Sequence, residues 1–408
     1  MSDAAALIDA TLRDALNGVD EVELLSRLCE RLLAAGVPLM RAAATCEFLD
    51  PSFDSHLVRW VRGERGVLET FPRSSTPESE ENWRTSPFRA LVKSDDTFLR
   101  RRLDDTYRPG EFPVLDEFRA RGATDYLCLI ERSEAALWVD EAPGVIASWL
   151  SDAPDGFGND AISLMRAVMP AFAMAFLART MRKTIGALLA TYLGQDAAER
   201  VLAGNVVRGR AEKLHTVVWF ADLAGFTRIA DTHDGAFVLA MLNEYAEAQV
   251  ESIEGQGGHV LKFIGDGLLA IFPGAEESSA CVRALDAAID FRRRIVELNA
   301  RRTAAGQPIT DAHIALHVGE VLYGNVGSPR RLDFTVLGAA VNEAARIESL
   351  CGSLDQPLIV SSAFAQAAGD AKSRLVSLGR YAMKGVARPQ ELYTLDPGTG
   401  SDPDKVGL

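Results

Sequence analysis

Apolar residues recur at helical spacing near the start of the chain, over Leu7–Leu16 and then Val22–Leu33, where Leu24, Leu25, Leu28 and Leu32 share a face. The pattern then turns strand-like at Pro38–Leu49 and Leu57–Val61. A polar stretch containing Ser74, Ser75, Thr76, Pro77, Glu78 and Ser79 reads as a loop, and Ser86-Pro87 as an N-cap followed by a first-turn proline. More strand-like runs come at Tyr126–Ile130, Ala135–Val139 and Val145–Leu150. From about 159 to 210 the pattern is mostly helical, with Leu177, Ile185, Leu188, Leu189, Tyr192 and Leu193 on a broad apolar face and Gly194 as a break.

Beyond about residue 211 strands and helices alternate. A strand at His215–Ala221 leads through a turn into a helix carrying Phe237, Val238, Met241, Leu242 and Tyr245. Two strands, Val260–Ile264 and Leu268–Phe272, meet at Gly265-Asp266-Gly267, a hairpin signal. A long helix near Ser278–Arg301 precedes a strand at Ile314–Val318 and a run at Phe334–Leu337. A helix over Ala340–Leu350 and strands at Leu358–Val360 and Leu392–Leu395 close the pattern. The prediction is an α+β protein whose last domain has the β-α-β-β-α-β order of a ferredoxin-like core. The expected divisions are an α/β domain over 1–158, a helical linker over 159–210, a second α+β domain over 211–395, and a Gly-, Pro- and Asp-rich disordered tail over 396–408. The first domain's order, ending in a long exit helix, resembles GAF or PAS sensory domains and implies a small-molecule regulator of unnamed identity.

Length and charge narrow the chemistry. A chain of 408 residues is long enough for two or three domains, each with its own core. A formal net charge of -14 argues against non-specific nucleic-acid binding but allows a nucleotide whose phosphates are neutralised by metal ions. Cys29, Cys46, Cys128, Cys281 and Cys351 are scattered and form no CxxC pair, so buried free thiols are expected. Met1-Ser2-Asp3 opens no signal-peptide pattern, and the apolar stretch Ala161–Met181 is interrupted by Arg166 and Pro170. A cytoplasmic protein without a membrane span is the expectation, that stretch being a buried or dimer-facing helix.

Two carboxylates carry the chemical argument. Asp222 stands at a strand end within Phe220-Ala221-Asp222-Leu223-Ala224-Gly225-Phe226-Thr227, and Asp266 at the hairpin tip. A strand-end aspartate among apolar residues is costly unless something pairs with it. Asp in Gly-Asp-Gly is ordinarily a turn residue, so the two gain force only together. The turn after Asp222, where Gly225 permits close approach, also suits phosphate binding by backbone N–H groups. Paired divalent cations on such carboxylates can clamp attacking and leaving oxygens of a phosphoryl transfer.

At this point a resemblance becomes explicit. Phe220–Thr227 resembles the first metal-binding signature of class III nucleotidyl cyclases, and Leu261-Lys262-Phe263-Ile264-Gly265-Asp266 the second. His317-Val318-Gly319-Glu320 with Gly324-Asn325-Val326-Gly327 resembles the family's central hairpin. Val336-Leu337-Gly338-Ala339-Ala340-Val341-Asn342-Glu343-Ala344-Ala345-Arg346 resembles its catalytic helix entry. The resemblance implies that Asp222, Asp266 and the Leu223 carbonyl hold Mg²⁺ or Mn²⁺, two per site, with Gly225, Phe226 and Thr227 beside the phosphates. It implies that Lys262 reads adenine, Asn342 orients the ribose, Arg346 stabilises the transition state and Lys384 grips the terminal phosphates.

Thr335 departs from the family's commonest form, which has Asp there, and resembles the class IIIb subgroup. Its hydroxyl can accept a hydrogen bond from the adenine amino group. Asp333, on the same strand side, is the alternative reader. The resemblance thus implies an adenylate cyclase with ATP as substrate, acting as a homodimer with two shared active sites. A guanylate cyclase, or an inactive nucleotide-binding or dimerisation module, is the alternative.

Overall fold

The computed structural model describes residues 2–47, 53–72, 76–133, 144–383 and 389–397, and the chain divides into two units, Met1–Thr191 and Tyr192–Leu408. The run Ala135–Val139, Lys384 and the tail from 398 onward lie outside the described residues.

The first unit opens with helices α1 (Ser2–Leu16) and α2 (Glu21–Ala34), followed by strands β1 (Arg41–Glu47), β2 (Phe53–Val61) and β3 (Val67–Pro72). Asp20 caps α2, its carboxylate accepting the Glu23 N–H at 2.9 Å. Next come α3 (Pro77–Arg84), α4 (Pro87–Val92), β4 (Phe98–Arg102), α5 (Pro113–Ala120), β5 (Asp125–Arg132), β6 (Gly144–Ser151) and α6 (Asn159–Leu193). The six strands form an antiparallel sheet in the order β3-β2-β1-β6-β5-β4. Alternation on the pleat divides its two faces. Val145, Ala147 and Trp149 of β6 pack with α2 and α6, while Ile146 and Leu150 pack with Leu91, Leu115 and Phe118.

Some of this departs from the apolar pattern. Ser86 does cap α4, accepting the Arg89 N–H at 3.1 Å, but the stretch expected as loop becomes helical at Pro77. Strand β4 carries three consecutive arginines, which no hydrophobic pattern flags. Arg100 pairs with fully buried Asp125 at 2.7 Å, Arg101 with Glu111 at 2.6 Å and Arg102 with Asp104 at 3.1 Å.

Helix α6 runs unbroken for 35 residues through Arg166 and Pro170. It is long and apolar enough to cross a membrane by length and composition, contrary to the expectation from its interruptions. Yet Met165, Val168, Met169, Phe172, Phe176 and Leu177 pack in the core beneath β1, β2 and β6. Proline survives because Pro170 faces outward and a single missing N–H is a small part of so long a ladder.

In the second unit α7 (Gln195–Leu202) precedes β7 (Ala211–Leu223), α8 (Phe226–Thr232), α9 (Gly235–Gly255), β8 (His259–Ile264), β9 (Gly267–Phe272), α10 (Glu277–Ala304) and β10 (Ala312–Ser328). Then follow β11 (Arg331–Leu337), α11 (Ala339–Glu348), α12 (Cys351–Leu354), β12 (Leu358–Ser361), α13 (Ser362–Ala367), β13 (Leu375–Tyr381) and β14 (Gln390–Leu395). The order β10-β7-β9-β8, all antiparallel, with α9 and α10 on one face, is the ferredoxin-like core. Trp219, Phe272 and Phe291 fill that core and all are fully buried. Strand β10 is far longer than the apolar run Ile314–Val318, because it pairs with β7 from Ala312↔Leu223 to Gly324↔Ala211 and then turns into β11. All five cysteines are buried and none of them is in a disulfide.

Candidate active site

Asp222 is the penultimate residue of β7, and Asp266 sits between Ile264 and Gly267, the closing pair of the β8–β9 hairpin. The two strands that carry them are brought side by side by the β7–β9 ladder, whose last pair is Ala221↔Leu268. Gly267 makes the approach possible. A Cβ there would lie 2.6 Å from the Ala221 carbonyl oxygen and 3.1 Å from Asp222 Oδ1, so a side chain would wedge the hairpin off the strand. Gly225, at φ +67°, supplies the left-handed turn that carries the chain from β7 into α8, directly ahead of Phe226 and Thr227.

The carboxylates interact directly. Burial first, and then the charge of Asp266 and a hydrogen bond shared with it, raise the Asp222 pKa from 3.8 to about 6, while the Leu223 N–H donates to the carboxylate and opposes the rise. Among the described residues no lysine or arginine contributes to that balance. Asp222, partly buried and repelled by Asp266, offers with it the paired carboxylate oxygens that Mg²⁺ or Mn²⁺ prefers. The residues therefore fit a divalent cation.

A pH dependence follows. Asp222 titrates higher in the folded protein than in the unfolded chain, so its contribution to metal-free stability is fully present below about pH 3.8 and lost as pH rises through about 6. A cation binds the deprotonated pair. Saturating Mn²⁺ is expected to raise the thermal midpoint more at about pH 7.5 than at about pH 5. Melting curves at the two values check it, and equal shifts would contradict a carboxylate metal site.

A second cluster forms where β8 faces β11. Lys262 Nζ lies 2.8 Å from Asp333 Oδ2, a half-exposed pair spanning 71 positions. Phe334 and Val336 turn into the core beside Tyr323, so Asp333 and Thr335 share the opposite face of β11. Thr335 is buried and its Oγ1 has no hydrogen-bond partner among the described residues. A buried hydroxyl without a partner is costly unless a ligand completes it. On α11, Ala340, Ala344 and Ile347 form the buried stripe, whereas Asn342 and Arg346 lie on the other side of the helix. The fold thus holds two separate clusters in one chain, the carboxylate pair and the Lys262–Asp333 pair beside Thr335, with Arg346 absent from the charges that act on Asp222.

Residues 210–397 match the family model for the adenylate and guanylate cyclase catalytic domain. Over that segment the chain is similar to the adenylate/guanylate cyclase catalytic domain. The chain is 31% identical over 212 residues to an uncharacterized protein of Mycobacterium tuberculosis, covering 52% of this chain and 37% of that protein. An uncharacterized Mycobacterium bovis protein matches at 31% over 212 residues, with 38% of its length covered. The chain thus spans well under half the length of these curated relatives. Among solved structures, the adenylyl cyclase CyaB from P. aeruginosa is 24% identical with a TM-score of 0.43, covering 46% of this chain and 96% of that one. The guanylyl cyclase Cya2 is 28% identical with a TM-score of 0.41, covering 47% of this chain and 97% of that one.

Two features of the second unit escaped the sequence reading. The Lys262–Asp333 pair joins strands too far apart in the chain for any local pattern. Glu348, two residues beyond Arg346, is drawn toward the carboxylate pair only by the packing of α11 across β7 and β10.

Proposed function

We propose that the protein is an adenylate cyclase, converting ATP to 3′,5′-cyclic AMP and pyrophosphate in a homodimer with two shared active sites. The observation that carries this reading is the juxtaposition of Asp222 and Asp266, where no lysine or arginine among the described residues offsets the repulsion that Asp222 feels from its neighbour. Two divalent cations bound there, with the Leu223 carbonyl, would neutralise the triphosphate and lower the pKa of the ribose 3′-hydroxyl. Gly225, Phe226 and Thr227 place backbone N–H groups beside the phosphates. Lys262 and Thr335 select adenine, the lysine donating to a ring nitrogen and the threonine oxygen accepting from the exocyclic amino group. Asn342 holds the ribose. Arg346 neutralises charge on the α-phosphate as the 3′-oxygen attacks and pyrophosphate leaves. Lys384, one residue beyond the described segment ending at 383, is assigned to the terminal phosphates.

Sharing between protomers is supported by the side of α11 on which Asn342 and Arg346 stand, away from the stripe that packs on their own sheet. It is supported also by Met174, Met181, Ile185 and Tyr192 of α6, exposed at the heptad spacing of a helix that pairs with its copy. The first unit, with its sheet, flanking helices and long exit helix, is assigned a regulatory role of the GAF or PAS kind.

The test is an assay of purified protein with ATP or GTP and Mg²⁺ or Mn²⁺, cyclic product being measured directly. Cyclic AMP formation well above cyclic GMP formation is the expected result. Product from GTP alone would replace the substrate assignment, and no product from either would leave a nucleotide-binding or dimerisation module.

A further inference from the structure

Glu348 is the last residue of α11, and three features of its place disfavour a negative charge. Its side chain is only 13% exposed. It stands at the negative end of the helix, where a carboxylate opposes the helix dipole. It also feels the charges of both Asp222 and Asp266, which with burial raise its pKa from 4.5 to about 7. The potential cation that lies near it among the described residues is weak. His313 Nδ1 lies 3.9 Å from Glu348 Oε1, beyond hydrogen-bond reach, and burial lowers the histidine's own pKa.

The placement is built by the sheet. His313 of β10 is paired across the ladder with Asp222 of β7, and α11 packs over both strands. The helix end, the histidine and the metal-pair aspartate are thereby stacked in one place. Gly352 helps, because a Cβ there would come 3.3 Å from His313 Cε1 and crowd the ring.

We infer that Glu348 is a positioning residue of the metal centre, a third carboxylate set behind Asp222 and Asp266 that strengthens divalent-cation binding through its charge. This rests on the metal reading of Asp222 and Asp266 and extends it. A group whose ionisation is opposed by its surroundings gains most from a nearby cation, and the cation gains as much from the group. Glu348 also frees the site from depending on two carboxylates alone to offset the charge of two divalent ions. It touches no reacting atom.

The experiment is Mn²⁺ binding to the full-length protein, followed by the loss of the free-ion electron paramagnetic resonance signal in the absence of nucleotide. Melting of the metal-free protein is measured in parallel. Glu348→Gln, which keeps the shape and removes the charge, is expected to weaken Mn²⁺ binding about tenfold, the scale of outer-shell losses at metal sites. Its metal-free midpoint should be unchanged or higher, because a like-charge repulsion is relieved. Glu348→Asp should recover part of the affinity. Asp222→Asn serves as the control. If it binds Mn²⁺ as well as the wild type does, the metal reading fails and this inference with it. If Asp222-dependent binding is intact in Glu348→Gln, this inference alone is overturned. A lower metal-free midpoint in Glu348→Gln, with no recovery in Glu348→Asp, would mark a packing role and overturn it likewise.

Discussion

Mixing Asp222→Ala chains with Arg346→Ala chains is expected to restore activity that neither possesses alone. Each homodimer lacks one essential part at both sites. Asp222→Ala removes half of the carboxylate pair, and Arg346→Ala removes the cation proposed to face the transferring phosphorus, a loss of ~10³ or more by comparison with other phosphoryl-transfer arginines. In a mixed dimer the two lesions fall on the same site and leave the other complete. Random pairing makes half of the dimers mixed, each with one intact site of two, so roughly one quarter of wild-type activity should return. Tagged chains and sequential affinity steps isolate the mixed dimers. Verified mixed dimers that stay inactive would show that each site is built within one chain.

Thr335→Val should lower the ratio of ATP to GTP kcat/KM by about tenfold, since it removes a buried hydroxyl whose partner is proposed to be the adenine amino group. Valine preserves the shape and the β-branching, so β11 keeps its place and the change reads out hydrogen bonding. Asp333→Asn is expected to act otherwise. Asp333 is engaged with Lys262 at 2.8 Å, so its neutralisation loosens the lysine and raises KM for ATP while moving the ratio less. Steady-state kinetics with both nucleotides separates the two effects. If Asp333→Asn moves the ratio and Thr335→Val does not, Asp333 is the base reader.

The carboxylate pair was legible from the sequence because each aspartate lies in a short local pattern: a strand ending in a glycine turn, and a hairpin tip. The strand-like runs of β5 and β6 and the helical spacing of α2 were equally local, and so were their boundaries to within a few residues. Strand β4 was not legible, since its Arg100, Arg101 and Arg102 are admitted to the sheet only by acidic partners supplied by β5 and neighbouring loops. Strand β13 was missed as well, being short, half-exposed and bent by a bulge between Ser377 and Gly379. Within the site, what stayed hidden was whatever depended on distant strands meeting: Lys262 against Asp333, and Glu348 behind Asp222. Sequence carries the identity of such residues and says little about their neighbours until the sheet is assembled.

The long β7–β10 ladder described above also sets an order of events as the chain is made. Asp222 belongs to the strand that begins the ferredoxin-like core, but its lateral support comes from His313, some 90 positions downstream. A nascent chain ending before β10 can form the β8–β9 hairpin yet holds Asp222 on an open sheet edge, exposed to strand pairing with other chains. During synthesis the first strand of this core must therefore wait, shielded or at risk of aggregation, until the fourth has left the ribosome.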